Sequence, residues 1–281
     1  MEHKISSEKI LIINLGGIGD LLLSVSALKS LKEQFPKSEI DLLTVEHGKK
    51  LMQAYGFFNN IYSADTKVNM ISMLRSVYAL RKNKYDLVIN MRTIVTWISA
   101  MKLFIMLKLI NGKTTAGRNT DHKGFFFNVK VTETYIGIKQ EFEYDIELFE
   151  LLGIDVKKMD LYIPYTELEV NYVKKLLSDN NVSEQDFVIG INPGGQLSHR
   201  WDNKNFVELI LSLLKNFNYK LILTGSESEK ELCQGIVDRV NNKNVLNFAG
   251  LTTITQLAVL MKEFKIFITN DTGSLHVCVV M

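Results

Sequence analysis

The chain has almost no cysteine, almost no net charge and no apolar run of membrane-spanning length. Only Cys233 and Cys278 occur in 281 residues. They are far apart and form no CxxC, which argues against a zinc or disulfide framework and fits a reducing compartment. Lysine and arginine number 33 against 31 acids, a net charge of +2. No global basic field therefore points to nucleic acid. The N-terminal MEHKISSEKI lacks the apolar core of a secretory signal, so a cytoplasmic chain is expected. The most membrane-like stretch is IVTWISAMKLFIMLKLI, Ile94 to Ile110. It is short for a span and carries Lys102 and Lys108 on different helical faces. Two readings stay open for it. One is a helix buried in a domain. The other is a helix lying on the inner membrane face, its lysines reaching the headgroups.

What is present is an alternation of strands and helices. KILIIN, EIDLLTV and YDLVIN are continuous apolar runs separated by helical patterns. After LYIPYTELEV the series resumes with FVIGIN, YKLILTG, NVLNFAG and KIFITN. Apolar strands alternating with helices predict an α/β protein whose parallel sheets are covered on both faces. The length suits two domains, placed at residues 1–170 and 171–281. The last residues, after ITNDTGSLH, stop about one turn into a helix with apolar residues at the end. The expectation is either a fragment or a shortened variant of a longer chain, with an incomplete second domain.

Four loops carry the chemistry. LGGIGDLLLS follows the first strand. It holds Gly17-Ile18-Gly19 but has Leu22 where a dinucleotide fingerprint needs its third glycine. Its acid, Asp20, falls in the first turn of a helix, where the dipole favours a carboxylate. Asp20 is read either as a cap or as a general base at the sheet edge. INPGGQLSHRW again follows a strand. Gly194 and Gly195 let backbone N–H groups approach a phosphate, and His199 and Arg200 add donors. In LTGSESE, Glu227 is read either as an acceptor for ribose hydroxyls or as an ordinary acid at a helix start. In TNDTGSLH, Asp271 or Thr272 can cap a helix, Gly273 allows a ligand close, and His276 lies one turn on.

In the order and spacing of these motifs the chain resembles glycosyltransferase family 9, the ADP-heptose:lipopolysaccharide heptosyltransferases. The motifs that carry the resemblance are ILIINLGGIGDLLLSVSALKSLKEQFP, GINPGGQLSHRW, LTGSESE, FAGLTTITQLA and ITNDTGSLH. The resemblance implies a GT-B fold, with two Rossmann-like doubly wound domains facing a cleft. It implies Asp20 as the base on an acceptor hydroxyl, with Gly17, Gly19 and Arg118 on the acceptor side. It implies a donor diphosphate at Gly194 and Gly195, ribose at Glu227, adenine at the backbone of Thr252, and closure on the donor by Asp271, Thr272, Gly273 and His276. It further implies no cofactor and no essential metal, a nucleotide-sugar donor, an anionic glycolipid acceptor and peripheral contact with the inner membrane. The chain departs from the family in two loops. His199 stands where the family has lysine, so charge neutralisation falls to Arg200 or to protonated His199. QEFEYD, Gln140 to Asp145, replaces a HEVERN-like stretch. Two rival readings remain, a nicotinamide-dependent oxidoreductase and an inactive nucleotide-binding relative.

Overall fold

The computed structural model describes residues 8–64, 70–134, 138–156 and 160–281. The chain divides into two compact units, Met1–Leu161 and Tyr162–Met281. The boundary precedes the 170/171 break expected from the sequence, because the helix Glu167–Asp179 packs entirely into the second unit through Val173 and Leu177.

The first unit contains strands β1 (Lys9–Ile13), β2 (Glu39–Thr44), β3 (Asn60–Ser63), β4 (Leu87–Asn90), β5 (Thr114–Thr120) and β6 (Val129–Glu133). Its helices are α1 (Ile18–Leu23), α2 (Val25–Gln34), α3 (Glu46–Met52), α4 (Met70–Ala79), α5 (Trp97–Ile110) and α6 (Glu141–Leu151). The strands pair in parallel in the order β3-β2-β1-β4-β5-β6. Chain crossovers on both sides of β1 define a doubly wound sheet. The β1 run is buried almost throughout, as a central parallel strand requires. The inner face of α5, with Leu103, Met106, Leu107 and Ile110, packs against Leu11, Ile13 and Val88 of the sheet.

The second unit contains α7 (Glu167–Asp179), β7 (Val188–Asn192), α8 (Asn203–Asn216), β8 (Lys220–Leu223), α9 (Lys230–Val240), β9 (Val245–Asn247), α10 (Ile254–Glu263), β10 (Ile266–Thr269) and α11 (Gly273–Val279). Its strands are also parallel, in the order β10-β7-β8-β9. Residue parity shows the double winding. Ile189, Ile191, Leu221 and Leu223 face α8 and α9, where Phe206, Cys233 and Ile236 lie. Val188 and Ile222 face α7 and α10, where Val173, Val259 and Leu260 lie. Alternate side chains of a strand point to opposite faces, so each face gathers its own core. Both cysteines are free, and burial pushes the Cys233 thiol up to about 12, which makes it an inert core residue.

Strands β5 and β6 have no apolar run to announce them, and hydropathy patterning passes over both. TTAGRNT is polar, yet Arg118, Asn119 and Thr120 are buried. Each finds a partner inside the unit. Thr120 Oγ1 donates to Glu133 Oε2 at 2.5 Å, and Asn119 Oδ1 accepts from the Gly124 N–H at 3.0 Å. Arg118, expected on the acceptor side, is wholly buried instead. Its guanidinium reaches Glu141 Oε2 at 2.5 Å, Asp145 Oδ1 at 2.7 Å and Thr93 Oγ1 at 2.8 Å. Arg118 is thus a structural cation that fixes α6, and QEFEYD is the segment that supplies its carboxylates.

Burial pushes the Asp145 carboxyl up to about 6, against the pull of the Arg118 charge and of hydrogen bonds from Arg118 and Ser24. Removing one partner of such a pair leaves an uncompensated buried charge. Arg118→Met should therefore cost about 3–5 kcal/mol at neutral pH. Asp145 has a raised folded-state pKa, so its favourable contribution is complete below the unfolded value and is lost as pH rises through about 6. The deficit of Arg118→Met should be smallest at low pH, where Asp145 is neutral, and should grow as pH rises through that value. Denaturant unfolding of both chains at about pH 5 and about pH 8 checks this. An equal deficit at both would contradict it.

Candidate active site

In an open α/β sheet, ligands bind beyond the C-terminal strand ends, at the point where the crossovers diverge to opposite sides. That point lies between β1 and β4 in the first unit and between β7 and β10 in the second. Most of the residues singled out from the sequence follow one of these four strands.

At the first divergence point, β1 ends in Ile13 and the chain turns through Asn14-Leu15-Gly16-Gly17 into α1. The buried Asn14 folds back, its Oδ1 accepting from the Gly16 N–H at 3.1 Å. The Gly17 N–H donates to Asp20 Oδ2 at 2.7 Å, so Asp20 does cap its helix. Gly19 is buried in the first turn of α1. Just past β4, Arg92 reaches across and pairs with the same Asp20 oxygen. The side chains of Asp20 and Arg92 stay about a third exposed, so the carboxylate is held in place and open to a ligand. Behind it, Ser24 Oγ donates to Asp145 Oδ2 at 2.9 Å, which ties the α1–α2 junction to α6 and Arg118.

The second divergence point repeats this turn. β7 ends in Ile191-Asn192 and the chain turns through Pro193-Gly194-Gly195, with Asn192 Oδ1 accepting from the Gly194 N–H at 2.9 Å. The Gly195 N–H again meets a carboxylate, here Glu229 Oε1 at 2.8 Å. Desolvation of Glu229 opposes its ionised form. Hydrogen bonds from the Ser226 N–H and hydroxyl and the Gly195 N–H, with the Arg200 charge, outweigh it and hold the carboxyl below its ordinary range. Arg200 donates through Nε and Nη2 to the Gly195 carbonyl at 3.2 and 2.6 Å. From the end of β10, Asn270 Nδ2 donates to the Pro193 and Gly194 carbonyls at 3.1 and 2.9 Å. The glycine loop is thus fastened from three sides.

A pocket of about 360 Å³ opens here, lined by Gly195, Gln196, Asp271, Thr272 and Gly273. Its size is that of a small-molecule site. Thr272 stands at the N-cap of α11 and Gly273 is its first residue, while the part-buried His276 lies one turn along. Gly195 has φ +115, a backbone conformation suited to glycine, and a Cβ there would sit 2.6 Å from Thr272 Cγ2.

The expectation that Gly194 and Gly195 offer their amides directly to a phosphate is corrected by this geometry. Both amides already have partners within the protein. What faces the pocket is the loop's outer surface together with the start of α11. Glu227 is exposed, 3.7 Å from Lys230, and its carboxylate closes over Gly250. Thr252 precedes Thr253, which caps α10 by accepting from the Gln256 N–H at 3.2 Å. The placement of the His199 side chain lies outside the described residues.

Arg92, Glu229 and Asn270 went unrecognised in the sequence. One signal was available. The string Ile-Asn-x-Gly-Gly occurs twice, each time at the end of the first strand of a unit.

Two Rossmann-like units of parallel strands make this an α/β protein of the GT-B class of transferase folds. Solved structures share that fold. A family 9 glycosyltransferase from Veillonella parvula superposes with TM-score 0.78 at 22% identity, over 100% of this chain and 79% of that one. ADP-heptose lps heptosyltransferase II of Escherichia coli gives 0.70 at 21%, over 97% and 82%. The family model "Glycosyltransferase family 9 (heptosyltransferase)" matches residues 73–281, and the chain belongs to that family. It is an enzyme of the glycosyltransferase class. Lipopolysaccharide heptosyltransferase 2 of Salmonella typhimurium is 26% identical over 285 residues, covering 96% of this chain and 79% of that protein. Lipopolysaccharide heptosyltransferase 3 of Escherichia coli is 23% identical over 270 residues, covering 92% and 76%.

Proposed function

We propose that this enzyme moves a heptose from ADP-heptose to a sugar hydroxyl of a lipopolysaccharide-core acceptor, with inversion at the anomeric carbon. The observation that carries the reading is the contrast between the two equivalent turns. One presents a partly exposed carboxylate, Asp20, and the other borders a pocket at a helix start, with a guanidinium on its loop. The first suits proton abstraction and the second suits an anion. The names of the Salmonella and Escherichia relatives support the sugar and the acceptor class.

In this mechanism Asp20 accepts the proton of the acceptor hydroxyl as its oxygen bonds to the anomeric carbon. The bond from that carbon to the diphosphate oxygen breaks, and ADP leaves with the electron pair. Arg200 and the N-terminal N–H groups of α11 stabilise the charge on the leaving diphosphate. Arg92 is a positioning residue for Asp20. Glu227 accepts from the ribose hydroxyls and the Thr252 backbone meets the adenine. Arg118 acts at a distance, through α6 and Ser24, and does not touch the acceptor. No metal is assigned a role.

Titration with ADP, UDP and NAD, followed by a transfer assay from ADP-heptose, tests the reading. ADP binding with transfer supports it. ADP binding without transfer supports the inactive relative, and NAD binding alone supports the oxidoreductase. The pocket makes a further expectation. Gly195→Ala imposes a backbone strain of about 1–3 kcal/mol and a clash with Thr272. It should weaken ADP binding by roughly tenfold or more, read by calorimetry, while the far-ultraviolet spectrum stays unchanged.

A further inference from the structure

Helix α5 carries large apolar residues on every side, with Lys102 and Lys108 among them, yet only half of it is covered. Ala100, Leu103, Met106, Leu107 and Ile110 point into the core. On the opposite side, Trp97 is 56% exposed, Ile98 71%, and Met101 and Ile105 about half. A helix hydrophobic all round belongs in a core or in lipid, and the expectation that α5 is simply buried holds for only one of its faces. The bare face continues onto a second element. The rings of Phe104 and Phe126 lie 5.5 Å apart, and Phe126 meets Phe125, itself 58% exposed, at 5.4 Å. Isolated exposed apolar side chains are ordinary, but a contiguous patch of this kind marks an interaction surface.

The charges carried by α5 itself are of one sign, and the one acid in the Phe125 loop, Asp121, is paired with Lys123. From Leu87 to Thr120 there is no aspartate or glutamate, while Arg92, Lys102, Lys108, Lys113 and Arg118 fall in that stretch. Three of these cations have carboxylate partners elsewhere in the unit, at Asp20, Asp86 and within α6. Lys102 and Lys108 remain exposed on α5, with Lys108 Nζ over the Phe104 ring at 5.4 Å. Lys130 Nζ donates to the Phe125 carbonyl at 3.1 Å and adds a third cation to the rim. Among the described residues no helix is long and apolar enough to cross a membrane. α5 has 14 residues, too few for a span.

We propose that the exposed face of α5, with Phe125, docks this enzyme onto an anionic lipid surface. Trp97, Ile98, Met101 and Ile105 enter the headgroup boundary, and Lys102, Lys108 and Lys130 meet the lipid phosphates. An apolar face with lysines at its margins and no carboxylate on the helix fits such a surface, where burial and charge attraction act together. A second copy of the same patch would bring like charges together. The site's position adds a reason. α5 begins five residues after Arg92, which follows β4 and pairs with Asp20 beyond the neighbouring β1, so a lipid-anchored acceptor reaches the carboxylate from the surface on which the helix rests. The docking does not depend on the transfer chemistry, and vesicle binding is read without donor or acceptor.

The test is co-sedimentation of the full chain with vesicles of phosphatidylcholine alone or mixed with phosphatidylglycerol. Binding should need the anionic lipid and fall as salt rises. Ile98→Ser/Met101→Ser should lower the partition coefficient by about tenfold or more, and Lys102→Glu/Lys108→Glu should lower it comparably at low salt. Unchanged thermal unfolding of both variants shows that they are folded. Three outcomes would overturn the proposal. They are no binding to anionic vesicles, equal binding by all three chains, or a dimer of the parent chain that Ile98→Ser/Met101→Ser dissociates. Loss of transfer with vesicle binding intact would count against the proposed function and leave the docking face standing.

Discussion

Asp20→Asn is expected to lower the transfer rate by about 10²–10⁴-fold, the usual contribution of a positioned base. The substitution is nearly isosteric. An asparagine oxygen can still accept from the Gly17 N–H, which Asp20 Oδ2 now meets at 2.7 Å, so the start of α1 should survive. What is lost is the capacity to take a proton and the charge that faces Arg92. That ion pair is about a third exposed, and pairs of this kind stabilise little. Unfolding should therefore change only slightly. ADP affinity should not change, because the donor pocket belongs to the other unit. The expected signature is a fall in kcat with KM for the donor preserved. Transfer at near the parental rate would remove Asp20 from the role of base.

Arg200→Ala is expected to cost about 10²–10³-fold in transfer, in line with the loss of a preorganised donor to a developing anion. Arg200 does two things at once. It brings fixed positive charge to the glycine loop, and it holds the Gly195 carbonyl through Nε and Nη2. Its charge also helps to hold Glu229 ionised against the Gly195 N–H. Without it the loop loses an anchor and the leaving diphosphate loses a counter-charge, so both donor affinity and kcat should fall. Arg200→Lys should recover part of the charge effect and little of the forked hydrogen bonding. Single-turnover transfer, with calorimetry of ADP binding, separates the two contributions. Parental values for Arg200→Ala would place the diphosphate elsewhere.

The alternation of apolar strands and helices made the two doubly wound sheets legible from the sequence, since β1, β2, β4, β7 and β8 are buried on both faces. β5 was not legible, because beside the small Ala116 and Gly117 its buried residues are Arg118, Asn119 and Thr120, and buried polar side chains with partners elsewhere in the unit leave no hydropathy trace. The same limit applies to the site. The glycine turns and Asp20 are local features, and their spacing shows in the string. Arg92 lies 72 positions from Asp20, and Asn270 lies 76 from Gly194. Only the order of strands in each sheet brings them together. Glu229, two residues beyond the Glu227 picked out from the sequence, is chosen by the fold because the start of α9 points it at Gly195.

The central claim is an inverting transfer driven by Asp20. Its most direct test is the fate of ADP-heptose given to the parent chain with a heptose-deficient lipopolysaccharide core, followed by nuclear magnetic resonance of the anomeric centre. A new glycosidic linkage of inverted configuration is expected, formed with release of an equal amount of ADP and lost in Asp20→Asn. A retained configuration, or a linkage formed equally well by Asp20→Asn, would contradict it.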